Sequence, residues 1–244
     1  MYINKMKRIF TSLIIAFFTL LAVGAKAQVK SYVGFFGGIS IPQGDFAKTD
    51  YNNNQAGFAK RGLDWGVDGA YYFYKNLGIG ATFAYQDNGE LKQADADNLA
   101  TGYTNSFGAD ASTVTANGRY QNISFLLGPQ YSFTKGKFIL DIRASAGVLK
   151  VHSTPGTSIL LTGVTDQTAT FYQRSASGTL FAYGANAALR YKLSENVFLT
   201  LRGAYLDSQG VSVKNDDRTT NIGRIVTKQP ISSIQTTLGL SFGL

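Results

Sequence analysis

Eight stretches of large apolar residues alternating with small or polar ones run from residue 32 to the end of the chain, joined by turns of two or three residues and by long polar segments in alternation. Side chains of a strand point to opposite faces with a period of two, so each stretch divides by parity. In the second stretch Leu63, Trp65, Val67, Tyr71 and Phe73 share one face, and Asp64, Gly66, Asp68, Ala70 and Tyr72 the other. Leu77, Ile79, Ala81, Phe83 and Tyr85 oppose Gly78, Gly80, Thr82, Ala84 and Gln86; Ile123, Phe125, Leu127 and Tyr131 oppose Ser124, Leu126, Gly128 and Gln130. Phe138, Leu140, Ile142, Ala144 and Val148 then oppose Asp141, Arg143, Ser145 and Gly147. Phe181, Tyr183, Leu189 and Tyr191 oppose Gly184, Asn186 and Arg190, and Val197, Leu199, Leu201 and Tyr205 oppose Thr200, Arg202 and Ala204. Tyr32 to Ile41 and Ile231 to Leu244 behave alike, with Ile234, Leu238, Leu240, Phe242 and Leu244 on one face.

Parity alone does not say which face meets the surroundings. Composition does. A surface bathed in water is roughly a quarter to a third charged, yet the polar face here is mostly Gly, Ala, Ser and Thr, and the whole chain is 16% charged. The large residues are too many for the interior of an eight-stranded barrel, which side chains only just fill. They are therefore predicted to face lipid, around a narrow lumen of small residues. The fold class is all-β: an eight-stranded antiparallel transmembrane β-barrel with up-and-down meander topology.

The connections orient it. Lys75-Asn76, Lys135-Gly136-Lys137 and Ser194-Glu195-Asn196 are tight turns, whereas Pro42 to Gly62, Asp87 to Gly118, His152 to Ala176 and Gly210 to Gln229 are long and polar. In membrane barrels short turns are periplasmic and long loops extracellular, which puts both termini on the periplasmic side. Aromatic girdles are expected at Tyr71, Phe73, Tyr131, Phe133, Phe138, Tyr191 and Phe242 near the short turns, and at Trp65, Tyr85, Tyr120 and Tyr205 near the long loops. Pro129 falls within the fourth strand, cannot donate to the ladder, and is expected near the periplasmic rim.

Residues 1–27 form a secretory signal peptide: Lys5, Lys7 and Arg8 precede an apolar run from Ile9 to Val23 and the A-x-A box Ala25-Lys26-Ala27. Loss of these four basic residues with no acidic ones lowers the formal charge of +8 to +4. No Lys/Arg cluster with interleaved aromatics survives, so no nucleic-acid partner is expected. With no cysteine, disulfides and thiolate metal sites are excluded. Residues 28–244 form one barrel domain.

The run YVGFFGGIS, the hairpin LDWGVDGAYYFYKNLGIGATFAYQ, the segment NISFLLGPQYSFTKGKFILDIRASAGV and the ending TTLGLSFGL resemble the small outer-membrane β-barrel proteins, similar to the OmpA transmembrane domain and OmpX and particularly to their Bacteroidetes relatives. The resemblance covers nearly all of residues 28–244. It implies a place in the outer membrane of a Gram-negative envelope and insertion by the outer-membrane assembly machinery, which in the family reads a last strand ending in an aromatic residue. Here Phe242 is third from the end and Leu244 is last. No peptidoglycan-binding domain is expected. Outer-membrane lipid and lipopolysaccharide are the expected surroundings, and the barrel is expected to be a monomer.

Inward charges at Asp68, Asp141, Arg143, Arg190 and Arg202 are read as a structural network of ion pairs, joined by Gln86, Gln130, Asn186 and Gln235, because a lone charge in a narrow lumen is costly. The competing reading is a gate or solute path. Which acid meets which arginine requires the strand register.

Catalysis needs a nucleophile, a base and an orienting group in one place. The one histidine, His152, adjoins Ser153, with Asp166 as a loop acid, but adjacent strand residues point apart and no spaced motif accompanies them. No catalytic residue, cofactor or metal site is assigned. Asp95-Ala96-Asp97-Asn98 begins like a calcium loop, but Leu99 takes the next ligand position, so a solvated acidic loop is expected. Gly78-Ile79-Gly80 lacks the third glycine and the helix that phosphate binding uses.

Recognition is then expected in the extracellular loops, where Tyr51, Phe58, Tyr103, Phe107, Phe171 and Tyr172 stand among Asn, Gly, Thr and Ser as candidate contacts for an extracellular protein partner, or as packing among the loops themselves. Val211-Ser212-Val213 and Ile222 to Val226 flank Asn215-Asp216-Asp217, so the last hairpin is expected to continue above the membrane and offer an edge for β-addition. The sequence reading is a non-enzymatic outer-membrane barrel with a structural or surface-interaction role, the alternative being a narrow pore for ions or small solutes.

Overall fold

The computed structural model describes residues 29–164, 167–213 and 228–244, with the backbone alone for 167–169. The signal peptide, Asp166 and the segment from Asn215 to Val226 lie outside the described residues. Eight strands close into the barrel: β1 (Tyr32–Pro42), β2 (Gly62–Tyr74), β3 (Leu77–Glu90), β5 (Arg119–Lys135), β6 (Phe138–Ser153), β9 (Gly178–Lys192), β10 (Val197–Ser208) and β11 (Ser232–Gly243). Every neighbouring pair is antiparallel, and β1 closes on β11 from Tyr32↔Gly243 to Pro42↔Ser233.

The tight turns pin the register. Lys75, at φ +45°, turns β2 into β3, and Gly136, at φ +60°, turns β5 into β6. Once these hairpins are fixed, parity decides every face, because a slip of one residue would bring the charged positions out and the rings in. Phe35, Leu63, Trp65, Tyr71, Phe73, Ile79, Leu201 and Leu238 lie on the outer surface, each more than half exposed. Soluble monomers rarely expose apolar patches beyond a few hundred Å². A continuous outer apolar band around a closed sheet is the surface of a transmembrane β-barrel.

Ring pairs mark the band's two margins: Tyr131–Phe133 at 4.9 Å and Phe138–Tyr191 at 5.0 Å toward the short turns, Trp65–Tyr85 at 5.5 Å toward the long connections. Tyr120 departs from the girdle expected of it. It points inward, its hydroxyl donating to the Gly57 carbonyl at 2.6 Å and its ring edge-on to Phe46. Several other rings also lie inside: Tyr32, Phe36, Tyr72 and Phe198 are buried in the lumen, where Gly, Ala, Ser and Thr on facing strands leave room.

Pro129 faces outward opposite Ile79, the third residue of β3, toward the short-turn end. No bulge accompanies it. The β5–β6 register is the same on either side, Leu127↔Ala146 and Gln130↔Arg143, with the pairs between them missing from the ladder.

The long connections are more ordered than their polar composition suggests. The first holds a one-turn helix, α1 (Gly44–Ala47); the second holds α2 (Gln93–Phe107) and β4 (Ala111–Asn117); the third holds β7 (Gly156–Val164) and β8 (Gln167–Gln173). Strands β4, β7 and β8 form a separate three-stranded sheet. Its pairings, Asn117↔Gly156 and Thr157↔Gln173, continue those of β5, β6 and β9 beyond a break at Gly118, at φ +82°, and Thr154–Pro155. The sheet is thus the projection of one barrel wall beyond the membrane.

Candidate functional site

The lumen is filled in layers. At the short-turn end Val29, Tyr32, Ala70, Tyr72, Ile139 and Phe198 pack together. Against them sit two bidentate ion pairs. Arg190 on β9 donates from Nε to Asp141 Oδ2 at 2.6 Å and from Nη2 to Oδ1 at 3.0 Å, both side chains being essentially inaccessible. The same carboxylate accepts from Ser132 at 2.5 Å and Tyr72 at 3.2 Å. The Arg190 guanidinium lies over the Tyr32 ring, 4.0 Å from its centroid.

Arg143 on β6 reaches across to β2, donating from Nη1 to Asp68 Oδ2 at 2.8 Å and from Nη2 to Oδ1 at 3.1 Å. Gln130 accepts from its Nε at 2.8 Å and Thr82 from its Nη1 at 2.9 Å. Asp68 accepts further bonds from Tyr32 and Thr82. The path crosses Gly80: a Cβ there would lie 2.2 Å from Arg143 Nε. A glycine that offers no phosphate cradle has this packing reason instead. Arg–carboxylate forks with their remaining lone pairs filled by hydroxyls are the arrangement in which a buried pair offsets its own desolvation.

Four of the five inward charges named from the sequence therefore meet as Asp68–Arg143 and Asp141–Arg190. The fifth, Arg202, forms no ion pair among the described residues; its guanidinium stacks on Phe36 at 4.8 Å, and its Nε and Nη1 have no hydrogen-bond partner among those residues. Of the expected amides, Gln130 joins the network, whereas Gln235 donates to Ser233 and Gln86 bonds to neither pair. Tyr32, Tyr72, Thr82 and Ser132 complete the network without having been assigned to it. Their signal was parity, since each falls on the inward face, with Thr82 and Ser132 directly opposite Asp68 and Asp141.

Above the ion pairs comes a belt of buried polar groups, and above that an apolar stopper in which Phe46 of α1 packs with Tyr120, Leu149, Val151, Leu206 and Ile231. The stopper is held by Asp45, which accepts from Lys48 at 2.7 Å and Asn53 at 3.0 Å; these bonds hold its carboxyl below the usual carboxylate range, the Lys48 bond foremost.

A second apolar core lies in the connections themselves. Phe58, Tyr103 and Phe171 are buried there with Leu99, Val114, Ile159 and Leu161, and Tyr51 and Phe107 pack against them. Four of these rings form a chain, Tyr51–Tyr103 at 5.1 Å, Tyr103–Phe107 at 6.1 Å and Phe107–Phe171 at 6.3 Å. Five of the six aromatics offered as candidate contacts are thus the core of a cap, because rings this large gain more by burial among one another than by facing water. Tyr172 remains exposed. The acidic run is not a solvated loop either: it lies in α2, where Asp95 is buried and paired with Lys60 at 2.9 Å. His152 is exposed on the outer face, and Ser153 donates to the Arg119 carbonyl at 2.6 Å, so the two do not face one another.

No family model matches the chain, and no curated protein does. Among solved structures it is similar to Neisserial surface protein A, at 12% identity over 90% of this chain and 100% of that one, with a TM-score of 0.48. It is similar also to Ail, the attachment invasion locus protein of Yersinia pestis (16%, 89% and 100%, TM-score 0.43), and to a major outer membrane protein from Thermus thermophilus (12%, 88% and 99%, TM-score 0.44). The closed, antiparallel, eight-stranded sheet with its outer apolar band defines the chain as a transmembrane β-barrel protein.

Proposed function

We propose that the protein resides in a bacterial outer membrane with its short turns periplasmic, and that it acts there as a structural element or through surface contact by its extracellular cap rather than as a channel. The observation that carries this reading is the filling of the lumen: two bidentate ion pairs, an aromatic layer and an apolar stopper stand in series between the two ends. The alternation of short turns with long, folded connections supports the orientation. The cap supports the second half of the reading, since a ring core makes it a preformed surface, with Tyr172 exposed on it. Lipopolysaccharide is the natural neighbour of the outer apolar band in this setting.

Single-channel recording on the folded barrel in a planar bilayer tests it. The expected trace is silent at neutral pH and moderate salt. Persistent protein-dependent openings would instead support a narrow pore for ions or small solutes, with the inward charges lining its path.

A further inference from the structure

Lysines stand all the way around the short-turn end of the barrel. Lys75 turns β2 into β3, Lys135 and Lys137 flank Gly136 between β5 and β6, Lys192 ends β9 before β10, and Lys30 precedes β1 where it closes on β11. All five are exposed, and Glu195 is the one exposed acidic side chain in those connections. None of the five forms an ion pair among the described residues. Lys30 donates to the Asn196 side-chain oxygen at 2.9 Å, and the Lys75 ammonium stands 5.3 Å from the centre of the neighbouring Tyr74 ring. At the opposite end bases and acids are interspersed, and Lys48, Lys60 and Arg119 are held by Asp45, Asp95 and Asp87.

Register crowds three of these lysines together. The last ladder pair of β6 and β9 is Phe138↔Tyr191, and one step beyond it the Lys192 N–H donates to the Lys137 carbonyl at 2.8 Å. The two lysines are therefore opposite one another, while Lys135 lies opposite Phe138 on the other side of β6. Like charges directly opposite across a strand pair are destabilising, so an anion shared among them would relieve a repulsion that the described acids leave in place. The Phe138–Tyr191 ring pair comes next in the ladder, at the margin of the outer apolar band. Aromatic girdles lie at the interface of a membrane barrel, and a lysine one residue further out reaches the lipid phosphates on its flexible stem. An anionic headgroup offers these lysines a phosphate with no ammonium of its own to repel them. We propose that the short-turn rim binds anionic glycerophospholipid headgroups, most strongly at Lys135, Lys137 and Lys192. The leaflet concerned rests on the orientation proposed above; the lipid chemistry does not.

The test is native mass spectrometry of the full folded chain, released from detergent micelles that hold equal amounts of phosphatidylglycerol and phosphatidylcholine with the same acyl chains. A lysine near an anionic surface favours association about fivefold, so the three together should retain phosphatidylglycerol over phosphatidylcholine by at least about tenfold. The triple variant Lys135→Gln, Lys137→Gln, Lys192→Gln should retain the two lipids alike. So should the unaltered protein at high ionic strength, which screens exposed charges. Equal retention by the unaltered protein at low salt overturns the proposal, and so does a preference that survives the triple substitution. Should the variant fail to fold, the salt dependence decides, and a preference unmoved by salt refutes the site. Capture on isolated peptidoglycan without any lipid preference would assign the rim to the cell wall and also overturn it. Because micelles present lipid to both ends, orientation is judged separately by protease access to the rim in intact cells: access from outside together with a phosphatidylglycerol preference upholds the lipid site and overturns the orientation.

Discussion

Arg143 and Arg202 are both buried arginines facing one lumen, and the difference between them is what each would leave behind. Truncating Arg143 strands Asp68 without its fork, and a buried carboxylate deprived of its partner costs about 3–5 kcal/mol. Arg143→Ala should therefore lower unfolding stability by that amount, with the Asp68→Asn, Arg143→Ala double variant recovering part of it. Arg202→Ala removes a cation held mainly by a ring, so its loss should be about 1 kcal/mol. Chemical denaturation of the three variants in one detergent separates the cases; equal losses for the two single variants would contradict the assignment of ion pairs. At the stopper, Asp45 has a folded-state pKa below its unfolded value, so its contribution is present above the ordinary carboxylate pKa of about 4. It disappears as the pH falls through the lower folded value. Near pH 3 the connection that carries α1 should lose protection against an acid protease while Asp45→Asn shows no such pH dependence. Parity made Asp68, Asp141, Arg143, Arg190 and even Asp64 legible as inward residues. Their partners were not, because Arg143 reaches Asp68 across the lumen and over Gly80, a contact that depends on closure of the sheet rather than on any local pattern.

The strands announced themselves through alternation, and their turns through Lys75-Asn76 and Gly136. Elements α2, β4, β7 and β8 did not. Their segments are rich in Asn, Thr, Ser and Gly, and α2 carries only a short apolar face, Ala96, Leu99 and Tyr103, so its helical period is weak against its polar composition. Those residues are nevertheless what fix it, since Leu99 and Tyr103 are buried in the core that β4 and β7 complete. Tyr103→Ala should consequently cost the cap about 3–5 kcal/mol, touching two ring contacts at once, while the barrel remains folded. Limited proteolysis checks this: cleavage within residues 91–118 should accelerate, and the membrane-embedded strands should stay resistant and shift on gels only after heating. Simultaneous loss of both would show that cap and barrel are a single unit of stability.

At the scale of the whole molecule, the interior alternates by height between aromatic, ionic, polar and apolar fillings, and that stacking is the basis of the silent bilayer expected above. The aromatic and ionic layers share partners, since Tyr32 and Tyr72 donate to Asp68 and Asp141, whereas the apolar stopper packs within itself. Deleting one leaves the remaining barriers in place, so Arg143→Ala alone should not open a conductance even as it lowers stability.

The continuity of β4 and β7 with β5 and β6 has a mechanical side. A tether attached to the cap would draw along the axes of strands that run directly into the barrel wall. Interstrand bonds lie perpendicular to those axes, so the load would fall on many of them together in shear instead of peeling them one by one. A fold whose outermost sheet is an extension of its membrane wall would pass such a load into the wall along the strands.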